Sequence, residues 1–393
     1  MSDTRFEFVG ELSEDLESVR PSLTYWADAW RRLKKNKLSM MGIAIIIFTI
    51  LFGVVGPFIT PYSYSDQVND FRNTPPRLDL YAAGDTYLYL TNDYILLEVS
   101  ENGKIQRRLD RIEEDVFNKI YVYDMDGETV TVDFSYNTLS TKQGYDYDFT
   151  IEYMGQLEKQ PAFTKWNMSF PFGSDGLGRD LLTRVMYGAR ISLFVAFVAT
   201  LVNLFIGVVY GSIAGFEGGR VDNIMMRIVD IINSIPLVLY VILLMVWFRN
   251  NGLWNIIIAL SSVYWVSMAR LVRGQMLALK EQEFVMAAIT LGVSRRKIIF
   301  RHLIPNAMGP IIVAMAMMIP SAVFTEAFLS FIGLGVSAPM ASWGVLANNA
   351  LSGLITYPYQ LFFPAMAIAF TMLAFNFLGD GLRDALDPRL RKG

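Results

Sequence analysis

Chemistry needs ionisable or metal-ligating side chains at short, defined spacings, and this 393-residue chain offers few of them. It has one histidine, His302, and no cysteine. Thiolate metal sites are therefore absent, and acid–base work would fall to carboxylates. Those carboxylates crowd between Tyr64 and Asp180, away from the apolar runs. The glycine cluster GSDGLGRD at 173–180 has neither the spacing nor the GK(S/T) ending of a phosphate loop. No HExxH pair and no nucleophile elbow is present. The expected reading is a non-catalytic chain that binds no metal or cofactor of its own. Two polar features remain. Glu326 sits inside PSAVFTEAFLSFIGLG, six residues after Pro320, and Asn376 interrupts another apolar run. A polar group at membrane depth marks either an ion pathway or a helix-to-helix hydrogen bond. The second feature is EFVMAAITLGVSRRKIIFRHLIPNAMGP, from Glu283 to Pro310, a basic segment between two apolar runs.

The elements that would position these residues are membrane helices. Hydrophobic residues make up 53% of the chain and charged residues 18%, against about 25% charged in soluble domains. Runs long enough to cross a bilayer lie at Met40–Ile59, Ile191–Ala214, Ile228–Phe248, Leu253–Leu271, Met308–Phe331 and Leu361–Leu378. The third and fourth are joined by the short turn FRNNG. Bases flank the first run in RRLKKNK, fill the segment between the fourth and fifth, and recur in the tail RDALDPRLRKG. Basic flanks stay in the cytoplasm. The expectation is a multi-pass protein of the cell membrane with both termini cytoplasmic, residues 60–190 outside and Glu283–Asn306 inside. Before the first run, Trp26 and Trp30 stand four apart in SLTYWADAWRRLKKNK. That spacing fits an interfacial amphipathic helix in contact with lipid, or simply an anchor belt. The outer region reads differently. TYLYLTNDYILLEVS, IYVYDMDGETVTVDFSY and YDYDFTIEYMG are rich in Tyr, Val, Ile and Thr, and Asp126-Gly127 is a hairpin signal. A small β-rich domain is expected over 84–160.

Within the basic segment, Glu283–Leu291 reads as a short helix stopped by Gly292. Ser294 can cap a second helix, RRKIIFRHL, that Pro305 helps to end. Ala287 and Ala288 would leave a low-relief surface for docking, with Arg295 and Arg296 beside it. The patch adjoins a membrane and has no base-reading element, so nucleic acid is not an expected partner. For His302, a carbonyl cap or an interfacial position is the plain reading, with a pH switch as the alternative.

These residues resemble a known family. EFVMAAITLGVSRRKIIFRHLIPN is similar to the cytoplasmic EAA loop of ABC importer permeases, in its oligopeptide/dipeptide form. Glu283, Ala287, Ala288, Gly292, Ile298 and Leu303–Pro305 carry the match, and Phe284 replaces the first alanine of the motif. FGSDGLGRDLLTRVMYGARISL, EAFLSFIGLG followed by Ser342-Trp343-Gly344, and DGLRDALDPRLR resemble other segments of the same branch. The resemblance implies an all-α polytopic protein with six transmembrane helices of the type I ABC importer fold. It implies the second permease of a heterodimer that works with two ABC ATPase subunits and an extracellular solute-binding protein. ATP and Mg2+ would belong to the ATPases, and the cargo would be oligopeptides or dipeptides. Nickel chelates or other small solutes are the alternative cargo within this class, and an ion-coupled secondary transporter is the alternative class. The long outer insertion departs from the family pattern. The expected organisation is a cytoplasmic segment at 1–38, a first transmembrane helix at 39–60 and an outer region at 61–171. The permease core then spans 172–382 with its coupling loop at 283–306, and a cytoplasmic tail follows at 383–393.

Overall fold

The computed structural model describes residues 24–136, 145–248 and 252–387. The expected FRNNG turn and the last residues of the tail lie largely outside them. The chain enters through α1 (Tyr25–Lys35), a short helix whose Thr24 hydroxyl accepts from the Ala27 N–H at 3.4 Å. Ala29 and Leu33 face inward, while Trp26 and Trp30 are about half exposed on the other side. Asn36 ends α1 and starts α2 (Lys37–Phe58): its Oδ1 accepts from Leu38 N and Ser39 N at 3.1 and 3.2 Å. One side chain thus satisfies two of the orphan donors at a helix start.

A β-sandwich follows, beginning at Arg77 and ending at Trp166, wider than the 84–160 expected. Its first strand, β1 (Arg77–Ala83), pairs with its last, β10 (Phe163–Trp166), so the domain is closed at its root by residues more than eighty positions apart. Local patterning does not reveal such a pairing, which explains the narrower expectation. The intervening strands are β2 (Thr86–Leu90), β3 (Leu96–Val99), β4 (Ile105–Arg108), β5 (Asp110–Asp115), β6 (Ile120–Met125), β7 (Glu128–Asp133), β8 (Thr150–Tyr153) and β9 (Gln156–Glu158). Among the described residues one sheet has the order β10-β1-β2-β3-β4 and the other β5-β6-β7-β8-β9. β6 (Ile120–Met125) and β7 (Glu128–Asp133) turn at Asp126-Gly127, both with positive φ (55° and 91°), as a primed hairpin turn demands. Alternate residues such as Leu88, Leu96, Tyr123, Val130, Val132 and Ile151 fill one of the domain's two cores.

The rest is a helical bundle. α3 (Leu181–Glu217) has 37 residues, about 55 Å at 1.5 Å per residue. α4 (Gly219–Ser234) and α5 (Leu237–Phe248) occupy the expected third run but meet at 83°. Pro236 accounts for the break, because it lacks an N–H and clashes with the preceding turn. Among the described residues five helices are long and apolar enough to cross a membrane, or six if this bent pair counts as one span. α6 (Leu253–Leu279) leads to the short α7 (Glu283–Thr290). α8 then runs from Arg295 to Leu334 without interruption at Pro305. The expected break is replaced by a widened turn at Ile299–Leu303, which precedes the proline and gives up the regular hydrogen bonding that its ring would have broken. α9 (Trp343–Ala350) and α10 (Tyr359–Leu386) complete the chain.

α3 and α6 pack through small residues. A Cβ built on Gly207 would stand 2.6 Å from Met268 Cβ, one on Gly211 2.3 Å from the Ala269 carbonyl, and one on Gly215 2.7 Å from the Arg273 carbonyl. Spaced one turn apart, these glycines bring two backbones together where no hydrophobic effect drives association. Gly211→Leu should therefore cost stability on the scale of other overpacked cores, about 1–3 kcal/mol or more. The check is the yield and melting temperature of detergent-purified protein; unchanged values would disprove the close contact.

Candidate coupling site and the buried acid

The short helix α7 has two faces. Val285 and Ala288 are buried against Met268, Val272 and Met276 of α6 and Ile298, Ile299 and Leu303 of α8. Phe284, Met286, Ile289 and Leu291 are 42–82% exposed, with Glu283 and Ala287 beside them. The expected surface built from both alanines is thus corrected. The 3.6-residue period turns Ala288 inward and leaves Ala287 outward among larger apolar side chains. Those four side chains form an exposed apolar surface where a low-relief one had been expected. Their signal in the sequence was an apolar helix too short to span a membrane and rimmed by charge.

Gly292 follows with φ of +71°, and no atom lies within 4 Å of the Cβ it lacks. It is glycine for its backbone conformation, which costs an L-residue about 1–2 kcal/mol. Ser294 occupies the cap position of α8 with extended backbone, but its hydroxyl makes no capping hydrogen bond, contrary to expectation. It lies instead with Arg296, Lys297 and Arg301 along an exposed basic groove. His302 is half-buried in the widened turn, and its carbonyl accepts from Asn306 Nδ2 at 2.6 Å.

Charged ties hold this loop to the bundle. Arg295 Nη1 pairs with Glu217 at 2.8 Å, at the end of α3. Lys280 Nζ donates to the Gly215 carbonyl at 3.2 Å, satisfying an acceptor of that same helix end. Arg273 grips Asp222 of α4 with two hydrogen bonds at 2.5 and 2.7 Å. A push on α7 therefore meets α3, α4, α6 and α8 together.

At the opposite end of α8, Glu326 is fully buried. Its Oε2 accepts from Ser192 of α3 at 2.7 Å and its Oε1 from Ser330 at 2.7 Å, with Ser342 as a third partner. Ser192 Oγ also accepts from the Trp343 N–H at 3.3 Å, and the Trp343 indole donates to the Val185 carbonyl at 3.0 Å. One carboxylate thus joins α3, α8 and α9. Asn376 is half-buried on α10 and is not among its partners, so the two do not combine into the single polar site expected.

The geometry is that of a polytopic membrane protein with a braced, partly exposed helix on one loop and a deep acid held by helix contacts. The comparisons with known proteins agree. Residues 207–392 match the binding-protein-dependent transport system inner membrane component family, and residues 24–76 match the N-terminal TM domain of oligopeptide transport permease C. The chain is 40% identical over 392 residues to the dipeptide transport system permease protein DppC of Bacillus subtilis, covering 99% of this chain and 94% of that one. It is 39% identical over 388 residues to the oligopeptide transport system permease protein OppC of the same organism, covering 98% and 97%. With OppC of Escherichia coli K12 it shares 48% identity over 220 residues, which is 56% of this chain and 72% of that one. A solved inward-facing form of the MetNI methionine ABC transporter is similar over 52% of this chain and 96% of that chain, at 20% identity and a TM-score of 0.44. The chain belongs to the permease family of binding-protein-dependent ABC importers, in its oligopeptide permease C branch.

Glu326→Ala should orphan Ser192, Ser330 and Ser342 at a cost of about 1–3 kcal/mol for each hydroxyl that finds no new partner. Glu326→Gln, which keeps one acceptor oxygen in the same volume and offers the other serine hydroxyl an N–H donor, should lose less. Melting temperatures of the two purified variants decide this; equal losses would mean that the carboxylate is not the joint.

Proposed function

We propose that this chain is one of two different permease subunits which, with two ATPases and an extracellular solute-binding protein, import short peptides at the expense of ATP. The β-sandwich and the Asp180 end of α3 face outward, and α7 and both termini face the cytoplasm. The observation that carries the coupling role is the two-faced α7: one face is seated in the bundle and the other is apolar and uncovered. Peptide cargo is supported by the relatives that are named dipeptide and oligopeptide transport system permease proteins. The basic flanks around residues 31–37 and 270–301 support the orientation.

In this reading ATP-driven closure of the ATPases presses on α7. Its buried face passes the displacement to α6 and α8, and the bundle turns its cavity outward to receive cargo from the solute-binding protein. Hydrolysis then lets the bundle return. Only a contact that differs between the two states can shift their balance, so the docked face of α7 must hold differently in each. No group of this chain is consumed, and its residues position and transmit.

Two tests follow. With no native cysteine in the way, a single cysteine in place of Met286 or Leu291 should cross-link to the ATPase, and one in place of the buried Val285 should not. Replacing Gly292 with a bulky residue such as valine should reduce peptide uptake more than membrane abundance. Unchanged uptake at equal expression would remove α7 from the coupling role.

A further inference from the structure

A cavity of about 560 Å3 opens at the β-sandwich end of the bundle, between the Asp175–Arg184 stretch, α9 and the backbone that follows α8. One side of it is charged. Asp175 Oδ2 accepts from Arg179 Nε at 2.7 Å and from Arg184 Nη1 at 2.9 Å. Asp175 Oδ1 is already taken by the Leu177 and Arg179 N–H groups at 2.9 and 3.0 Å. Two guanidinium groups therefore share one saturated carboxylate. Arg184 is 1% exposed, and its Nε has no partner among the described residues. Asp180 does not line the cavity and pairs with neither guanidinium among the described residues; its Oδ2 accepts from the Thr183 N–H and hydroxyl. A desolvated guanidinium with a donor left free is unfavourable unless an acceptor completes it. The remaining lining is mixed: Leu177, Val336 and Leu346 are apolar, and Asn349 and Gln360 are polar. The volume falls within the range of small-ligand sites.

We propose that this cavity is a binding site for the carboxylate end of the transported peptide, with Arg179 and Arg184 meeting the carboxylate and the apolar lining taking the adjoining side chains. A guanidinium presents two donors in a plane that matches a carboxylate, and in a partly dry site the pair discriminates strongly against a neutral amide. The inference rests on the peptide-import reading. It adds a selectivity step located in the permease itself, after release from the solute-binding protein.

The test uses the complete transporter in proteoliposomes with its own solute-binding protein. Uptake of one short peptide is compared as free acid and as C-terminal amide. The readout is the ratio of the two KM values, in wild type and in Arg179→Gln. Because the same binding protein serves both, a change in the ratio belongs to the permease. The site predicts that Arg179→Gln lowers the preference for the free acid by about tenfold, the scale of one charge-assisted hydrogen bond, because uptake of the acid falls more than uptake of the amide. Arg184→Lys, which keeps the charge but loses the fork, should fall between. Equal assembly of each variant with its partners is checked by gel filtration. If wild type imports peptides and the ratio does not move, the assignment fails alone. An equal loss for acid and amide, with weakened docking of the solute-binding protein, places the complementary carboxylate on that protein and overturns the proposal. If no peptide of either form is imported, the peptide reading fails and this inference with it.

Discussion

Gly207, Gly211 and Gly215 line the contact of α3 with α6, and almost everything else depends on the closeness they allow. Lipid is as apolar as leucine, so helices in a bilayer gain from packing and hydrogen bonding and not from hiding apolar surface. With side chains removed, backbone meets backbone over about two turns of α3. That contact fixes the α6 end from which α7 departs, and it fixes α3 where Glu217 and the Gly215 carbonyl receive Arg295 and Lys280. It also sets α3 at the height where Ser192 reaches Glu326.

The charged residues divide into two sets with different tasks. At the α7 end, pairs that each keep an arginine at least partly exposed brace the loop that carries α7. Individually such pairs contribute little to stability, and their value lies in geometry: they keep the loop from moving independently of the helices. At the other end, the ionisable groups are buried. Glu326 holds three helices together through hydroxyls, and Asp175 holds two arginines of one loop and helix start. The β-sandwich is tied to that same end. Asp93 takes Arg72 at 3.3 Å and Asn73 at 3.1 Å, while Gln360 at the start of α10 donates to Asn73 Oδ1 at 3.0 Å. The far end of the bundle is thus a polar assembly shared by the helices and the β-sandwich.

Much of this was legible in the sequence because it is local. Long apolar runs, the Asp126-Gly127 hairpin and the helix–glycine–helix around Gly292 each follow from a few neighbouring residues. What was not legible is long-range or directional. Pro236 marks a break but not its 83° angle, which depends on where α4 finds Asp222 and Asp230 partners on α6. Pro305 looked like a stop, and only the widened turn before it lets α8 continue. The pairing of β1 with β10, and the hydrogen bond from Ser192 to Glu326, join residues too far apart for any local pattern to connect. The free Arg184 donor at the cavity depends on counting which carboxylate oxygens are already occupied, and that needs coordinates.

The central claim is that this chain moves cargo because a separate ATPase drives it, and not because an ion gradient drives its own buried acid. The most direct measurement is cargo uptake into vesicles holding the reassembled complex, with ATP and an imposed proton or sodium gradient varied independently. The account predicts uptake that requires ATP on the ATPase side and is indifferent to the gradient. Uptake that follows the gradient without ATP would contradict it and return Glu326 to the centre of the mechanism.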